Sequence, residues 1–213
     1  LHSTGAYLIY LALVCGWSGL AQNTYGQAAA FWLLVLPPAA SLFHLTRANR
    51  DTPESAIRFA GILLTLCIST GIVFERTVPG LWIVAYSALL SGAGLLGLCL
   101  YGEREGWNNI PKTFGIIGLV VLAYIFTWTD IWHQIGWGHM RHDWQYRTWG
   151  IGFDSGITLA FLGGWILIAL RAFRRDSIET LTLAAFPVIA TLCFALSSLT
   201  EKADLFNALI FNV

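Results

Sequence analysis

The chain has 213 residues, of which 56% are hydrophobic and 11% charged, against roughly 25% charged in ordinary soluble domains. Too little polar surface is left to coat a water-soluble globule of this length, whereas lipid tails accept apolar side chains on the outside of a bundle. Basic and acidic residues cancel to a formal net charge of zero, which gives no footing to a nucleic-acid partner that would need a clustered basic face.

A helix needs about 20 mostly apolar residues to cross a bilayer. In chain order such runs fall near residues 4–21, 28–45, 56–74, 78–100, 113–131, 155–173 and 178–199. The expected architecture is an all-α, polytopic transmembrane helix bundle of about seven spans. It forms a single domain over residues 1–213, with the lipid bilayer as its surroundings. A last apolar run begins at Leu205 and stops at Val213. It is too short to cross, so it reads either as a truncated eighth span or as a tail at the interface. The first run lacks a basic segment followed by a cleavage pattern and reads as a retained span rather than a signal peptide.

Local signals punctuate these runs. Thr52 is a good N-cap, with Pro53 at the first helical position and Glu54 in the first turn. Asp176 with Glu179 resembles a capping box, and Pro79 and Pro111 stand at or before helix starts. Pro37-Pro38 and Pro187 fall inside spans and predict kinks. Cations divide unequally between the two sides. One side collects Arg47, Arg50, Arg104, Lys112, Arg171, Arg174 and Arg175, joined by Arg58 at a span edge. The other has Arg76, Arg141, Arg147 and Lys202. The richer side is expected in the cytoplasm, together with the N-terminus, and the connection 132–154 on the outside.

No Asp, Glu, Lys or Arg falls near the middle of any span, which lowers the case for ion-coupled transport, proton pumping or voltage sensing. Small residues are spaced for close helix contact: Ala88/Gly92 and Ala93/Gly97 in the fourth span, Gly115 and Gly118 in the fifth, Gly163 and Gly164 in the sixth. They suit packing within one bundle or docking of another membrane subunit. Cys15, Cys67, Cys99 and Cys193 lie in apolar stretches with no CxxC pair and read as small buried hydrophobes.

The connection 132–154 is the one chemically rich stretch. It holds His133, His139 and His142, with Asp130 just upstream. Asp130/His133 and His139/His142 are each three apart, which on a helix places both members on one face. Imidazole and carboxylate suit zinc, copper or iron, and a histidine could serve haem or a chlorophyll-type pigment as axial ligand. The competing reading is an interfacial segment, with Trp128, Trp132, Trp137 and Trp144 in the headgroup belt. The His-x-x-His spacing lacks the glutamate of a His-Glu-x-x-His helix. No nucleophile elbow, phosphate loop or dinucleotide fingerprint occurs, so the sequence names no cofactor and no catalytic residue. His44, near a span end and followed by Arg47, reads as a snorkelling or capping side chain.

Gly19-Leu20-Ala21-Gln22-Asn23-Thr24-Tyr25, the run Phe31-Trp32-Leu33-Leu34-Val35-Leu36-Pro37, and Phe114-Gly115 with the apolar run to Tyr124 carry a resemblance. Together they resemble bacterial predicted inner-membrane proteins of domain-of-unknown-function family 2157. The resemblance implies a polytopic bundle in a bacterial inner membrane and no established activity. A start at Leu1 and an end inside an apolar run fit a piece of such a protein. Three readings of function remain at this level. The first is a non-catalytic membrane subunit or scaffold that packs against partner helices. The second is a transporter or channel for a neutral or lipid-like molecule, motivated by the prolines and glycine-rich spans. The third is a metal- or pigment-binding membrane protein using the 132–154 stretch.

Overall fold

In lipid a helix satisfies its own backbone hydrogen bonds, and each long apolar run of this chain takes that solution. The computed structural model describes residues 3–20, 31–48, 52–74, 80–102, 104, 106–135, 148–175, 177–199, 207 and 210–211. The helices are α1 (Thr4–Leu20), α2 (Phe31–Ala48), α3 (Pro53–Phe74), α4 (Leu81–Tyr101), α5 (Ile110–Phe126), α6 (Thr129–Ile135), α7 (Thr148–Ala172) and α8 (Ile178–Leu199). No strand occurs among the described residues. The segments Pro53–Ile72, Leu81–Tyr101, Gly106–Phe126, Ser155–Ala172 and Ile178–Ser197 are each long and apolar enough to cross a membrane. The helical membrane bundle expected from the sequence is the observed fold.

The helices gather into two main apolar clusters. One joins α1, α2 and α3 around Tyr7, Leu11, Val35 and Phe59. The other joins α4, α5, α7 and α8 around Ile83, Leu95, Leu119 and Leu183. The α4 helix belongs to both, since its Ala93 completes the first cluster. It is apolar all round and mostly buried, as a central helix must be.

Close helix approach depends on glycine at one crossing. A Cβ on Gly115 of α5 would lie 2.5 Å from the backbone of Leu90 and Gly94 in α4. Nearby, Asn109 fastens the same two helices. It is fully buried, and its amide donates to the carbonyls of Gly97, Gly102 and Arg104 at 3.1–3.3 Å. Its Oδ1 accepts from the Lys112 N–H and caps α5. Replacing it by alanine removes an N-cap and three hydrogen bonds to main-chain carbonyls together, so Asn109→Ala should cost about 1–3 kcal/mol. Thermal unfolding in mild detergent measures this. Asn109→Asp, which keeps the acceptor and loses the donors, should recover only part of the loss.

Two of the three interior prolines, Pro38 and Pro187, are answered by a hydroxyl from another helix. Pro38 has no N–H to offer the carbonyl four residues back, Leu34, and that carbonyl accepts from the Tyr10 hydroxyl of α1 at 2.9 Å. Pro187 likewise frees the carbonyl of Leu183, which accepts from Ser91 of α4. Re-satisfaction of this kind is what makes proline tolerable inside a bundle.

The structure departs from four sequence expectations. The fifth span does not run to residue 131. It ends at Phe126, where the Thr127 hydroxyl turns back onto the carbonyl of Tyr124, and α6 starts afresh at Thr129. Trp132 is not a belt residue: it is fully buried, and its indole N–H donates to the carbonyl of Phe126 at 2.8 Å. Trp128 is exposed, as a belt residue should be. The cap of α8 is Ser177, whose hydroxyl accepts from the Thr180 N–H; Asp176 lies outside the described residues. Helix α7 also begins at Thr148, so part of the expected connection is helical. Where Thr52 was expected to cap α3, its hydroxyl accepts from the Ser55 N–H.

Candidate functional site

The seam between the two clusters opens as a crevice of about 780 Å³. Its floor is the small-residue face of α4, with Ala88, Gly92, Ala93 and Leu96. One wall comes from α2 and α3 through Leu42, Phe43, Ile62 and Leu66. The other comes from α7 through Phe161, Gly164, Leu167 and Ile168. The floor is small because bulk there would fill the seam. Gly164 faces open space, with nothing within 4 Å of where its Cβ would stand.

The two ends of the crevice differ. Toward the start of α7 the rings of Trp32 and Phe161 meet edge-on at 5.0 Å across the seam. At the other end Thr46, Arg47 and Arg171 join the lining. Arg47 closes the last turn of α2 and Arg171 the last turn of α7, and both are exposed. The mouth is therefore basic and the body apolar.

Among the described residues, the same end of the bundle carries two ion pairs. Arg58 is buried in α3 and bonds Glu54 at 2.7 Å and the Ser41 hydroxyl at 3.2 Å, with the Tyr7 ring below its guanidinium. Glu54 also accepts from Thr4 at the start of α1. Lys112, buried in the first turn of α5, reaches Glu179 of α8 at 2.8 Å. A lysine at a helix N-terminus opposes the helix dipole, while a glutamate in a first turn is favoured by it, so the pair relieves α5 through α8. Sequence reading put Lys112 in a connecting loop and Arg58 at a span edge; both are instead buried cations held by a carboxylate.

Glu179 is half exposed, so water tempers the loss when it is removed. Glu179→Gln should cost about 1–2 kcal/mol, below the 3–5 kcal/mol of a fully buried pair broken on one side. Adding Lys112→Met should restore most of that, because an apolar residue replaces the stranded charge. A double-mutant cycle on thermal unfolding measures the coupling.

The residues singled out for metal binding lie elsewhere. Asp130 is exposed in the first turn of α6, and His133 lies in the same short helix. His139 and His142 lie outside the described residues. Among the described residues no group of three or more His, Cys, Asp or Glu could hold a metal ion. The four cysteines are free thiols, and His44 is exposed near the end of α2. Sequence reading missed the crevice, whose only trace was two arginines closing spans that also carry small residues.

The chain is an integral membrane protein. No protein-family model matches it, and no solved structure does so significantly. An uncharacterized amino-acid permease of Schizosaccharomyces pombe is 23% identical over 133 residues, which is 60% of this chain. The chain spans 25% of that permease's length.

Proposed function

We propose that this bundle is the membrane part of a carrier for a lipid-like molecule. The observation that carries the reading is the apolar crevice at the seam of two helix clusters, with Arg47 and Arg171 at one end. A seam between packed units is where carriers commonly place a binding site, because one unit can rock against the other. The likeness to a permease supports transport of some kind, over part of the chain. The distribution of cations supports placing the basic end in the cytoplasm. A bacterial inner membrane, and kinship with family 2157, remain part of the proposal.

The test is reconstitution of the purified chain into liposomes containing a tail-labelled fluorescent phospholipid, with dithionite added outside. Faster loss of the inner-leaflet signal than in empty vesicles is expected. Identical traces with and without protein would remove the carrier reading.

A second reading, a scaffold subunit that docks partner helices, is favoured by α7, where Gly156 and Gly163 face open space. Native mass spectrometry from mildly solubilised source membranes decides it. Added polypeptide mass would support the subunit, and a bare chain would count against it.

A further inference from the structure

The mouth of the crevice has a chemistry that the carrier reading alone does not require. Among the described residues its lining is apolar along most of α4 and α7 and carries its charge at Arg47 and Arg171, beside Thr46. On α7 the lining runs from Ala160 to Arg171, roughly 16 Å at 1.5 Å per residue, or about half of the hydrocarbon core of a bilayer. That is the depth of one leaflet. A ligand filling it has an apolar body one leaflet long and a head at the level of the two guanidinium groups.

Charge selects the head. Among the described residues the carboxylates at this end, Glu54 and Glu179, are each bound to another cation, Arg58 and Lys112. Arg47 and Arg171 are left facing the mouth. Guanidinium groups offer planar pairs of N–H donors that match phosphate oxygens. Arginine stems also lie along apolar walls while the charge stays at the headgroup level.

We propose that the crevice holds an anionic phospholipid, its acyl chain against α4 and α7 and its phosphate head between Arg47 and Arg171. The proposal rests on the carrier reading for the crevice and adds the class of lipid it selects. The acyl chain is recognised by the apolar walls and the anionic head by the two arginines.

The experiment is native mass spectrometry of the full chain in mixed micelles. These contain equal amounts of phosphatidylglycerol and phosphatidylcholine with the same acyl chains. Preferential retention of phosphatidylglycerol is expected. Each arginine near a membrane surface contributes roughly five-fold toward an anionic lipid, so Arg47→Gln with Arg171→Gln should lower phosphatidylglycerol retention about 30-fold. Phosphatidylcholine retention should be unchanged. Arg174 is exposed beyond the end of α7 and does not line the crevice, so Arg174→Gln should change nothing. Equal retention of both lipids by the unaltered chain, or an equal loss from Arg174→Gln, overturns the headgroup assignment and leaves the crevice standing. Gly164→Leu, at a site with open space, should reduce both lipids by filling the crevice. Lipid retention undiminished by Gly164→Leu overturns the crevice itself, and the carrier reading with it.

Discussion

Gly115→Ala should be among the most damaging single methyls in this protein. The added Cβ would stand 2.5 Å from the Leu90 carbonyl oxygen and the Gly94 nitrogen, and 2.8 Å from the Gly94 Cα. All three are main-chain atoms of α4, so no rotamer change relieves the clash and the helices must part. Overpacking of a tight site costs typically 1–3 kcal/mol and occasionally more. Here the displaced element is the central helix, and backbone proximity is the main source of attraction between helices in lipid. We expect a loss at or above about 3 kcal/mol, with little folded protein recovered in detergent. Two controls give the result its meaning. At Gly118 the Cβ would meet only the end of the Leu90 side chain, which can swing away, so Gly118→Ala should cost less. At Gly163 there is nothing within 4 Å, so Gly163→Ala should be neutral or stabilising by helix propensity, up to about 1 kcal/mol. Thermal unfolding of the three variants in one detergent reads out the series. Equal effects at all three sites would mean that α4 and α5 do not cross at Gly115.

The same glycines mark how far the sequence could be read. The small-residue spacings in the fourth and fifth spans were legible, but whether they faced inward or outward was not. In the structure Gly94, Gly97, Gly115 and Gly118 are spent on contacts inside the bundle, whereas Gly156, Gly163 and Gly164 face open space. Spacing alone has no term for which neighbour a face meets. The spans were legible for a simpler reason: in lipid, length and apolarity are the main requirement for a helix. That same simplicity hid the end of α5. Beyond Phe126 the polar Thr127, Thr129 and Asp130 are interleaved with Trp128 and Ile131, a mixed stretch in which a span can be drawn too long, and the Thr127 hydroxyl on the Tyr124 carbonyl marks where the helix ends. Buried charge was hidden too. Arg58 and Lys112 lie near span ends, where cations usually reach water, and only their partners from other segments of the fold show that they do not. The crevice is the extreme case, since its walls come from α2, α3, α4 and α7 and no local pattern encodes a space between them.

Phe126→Ala should be another costly change, and it tests the end of the bundle opposite the basic mouth. Phe126 is fully buried at the last turn of α5. Its ring lies 5.4 Å from that of Trp132, 5.0 Å from Phe211, and 6.2 Å from both Trp82 and Phe186. Four segments meet on this one ring: α4, α6, α8 and the residues after α8. In an aqueous core Phe→Ala costs about 3–5 kcal/mol. Part of that is transfer from water, which shrinks where the unfolded helix still sits in lipid. The cavity and the lost dispersion contacts remain, so we expect about 2–4 kcal/mol. Trp132 supplies an internal reporter, because its indole is anchored to the Phe126 carbonyl and shielded by the same cluster. Losing the Phe126 ring should expose Trp132 and Trp82 and shift tryptophan emission to the red, alongside the fall in melting temperature. Tyr124→Ala, two residues earlier and exposed, should leave both readouts within about 0.5 kcal/mol of the parent. Equal effects at the two positions would mean that α6 and the chain after α8 do not fold back onto α5, and that Trp132 belongs at the membrane interface after all.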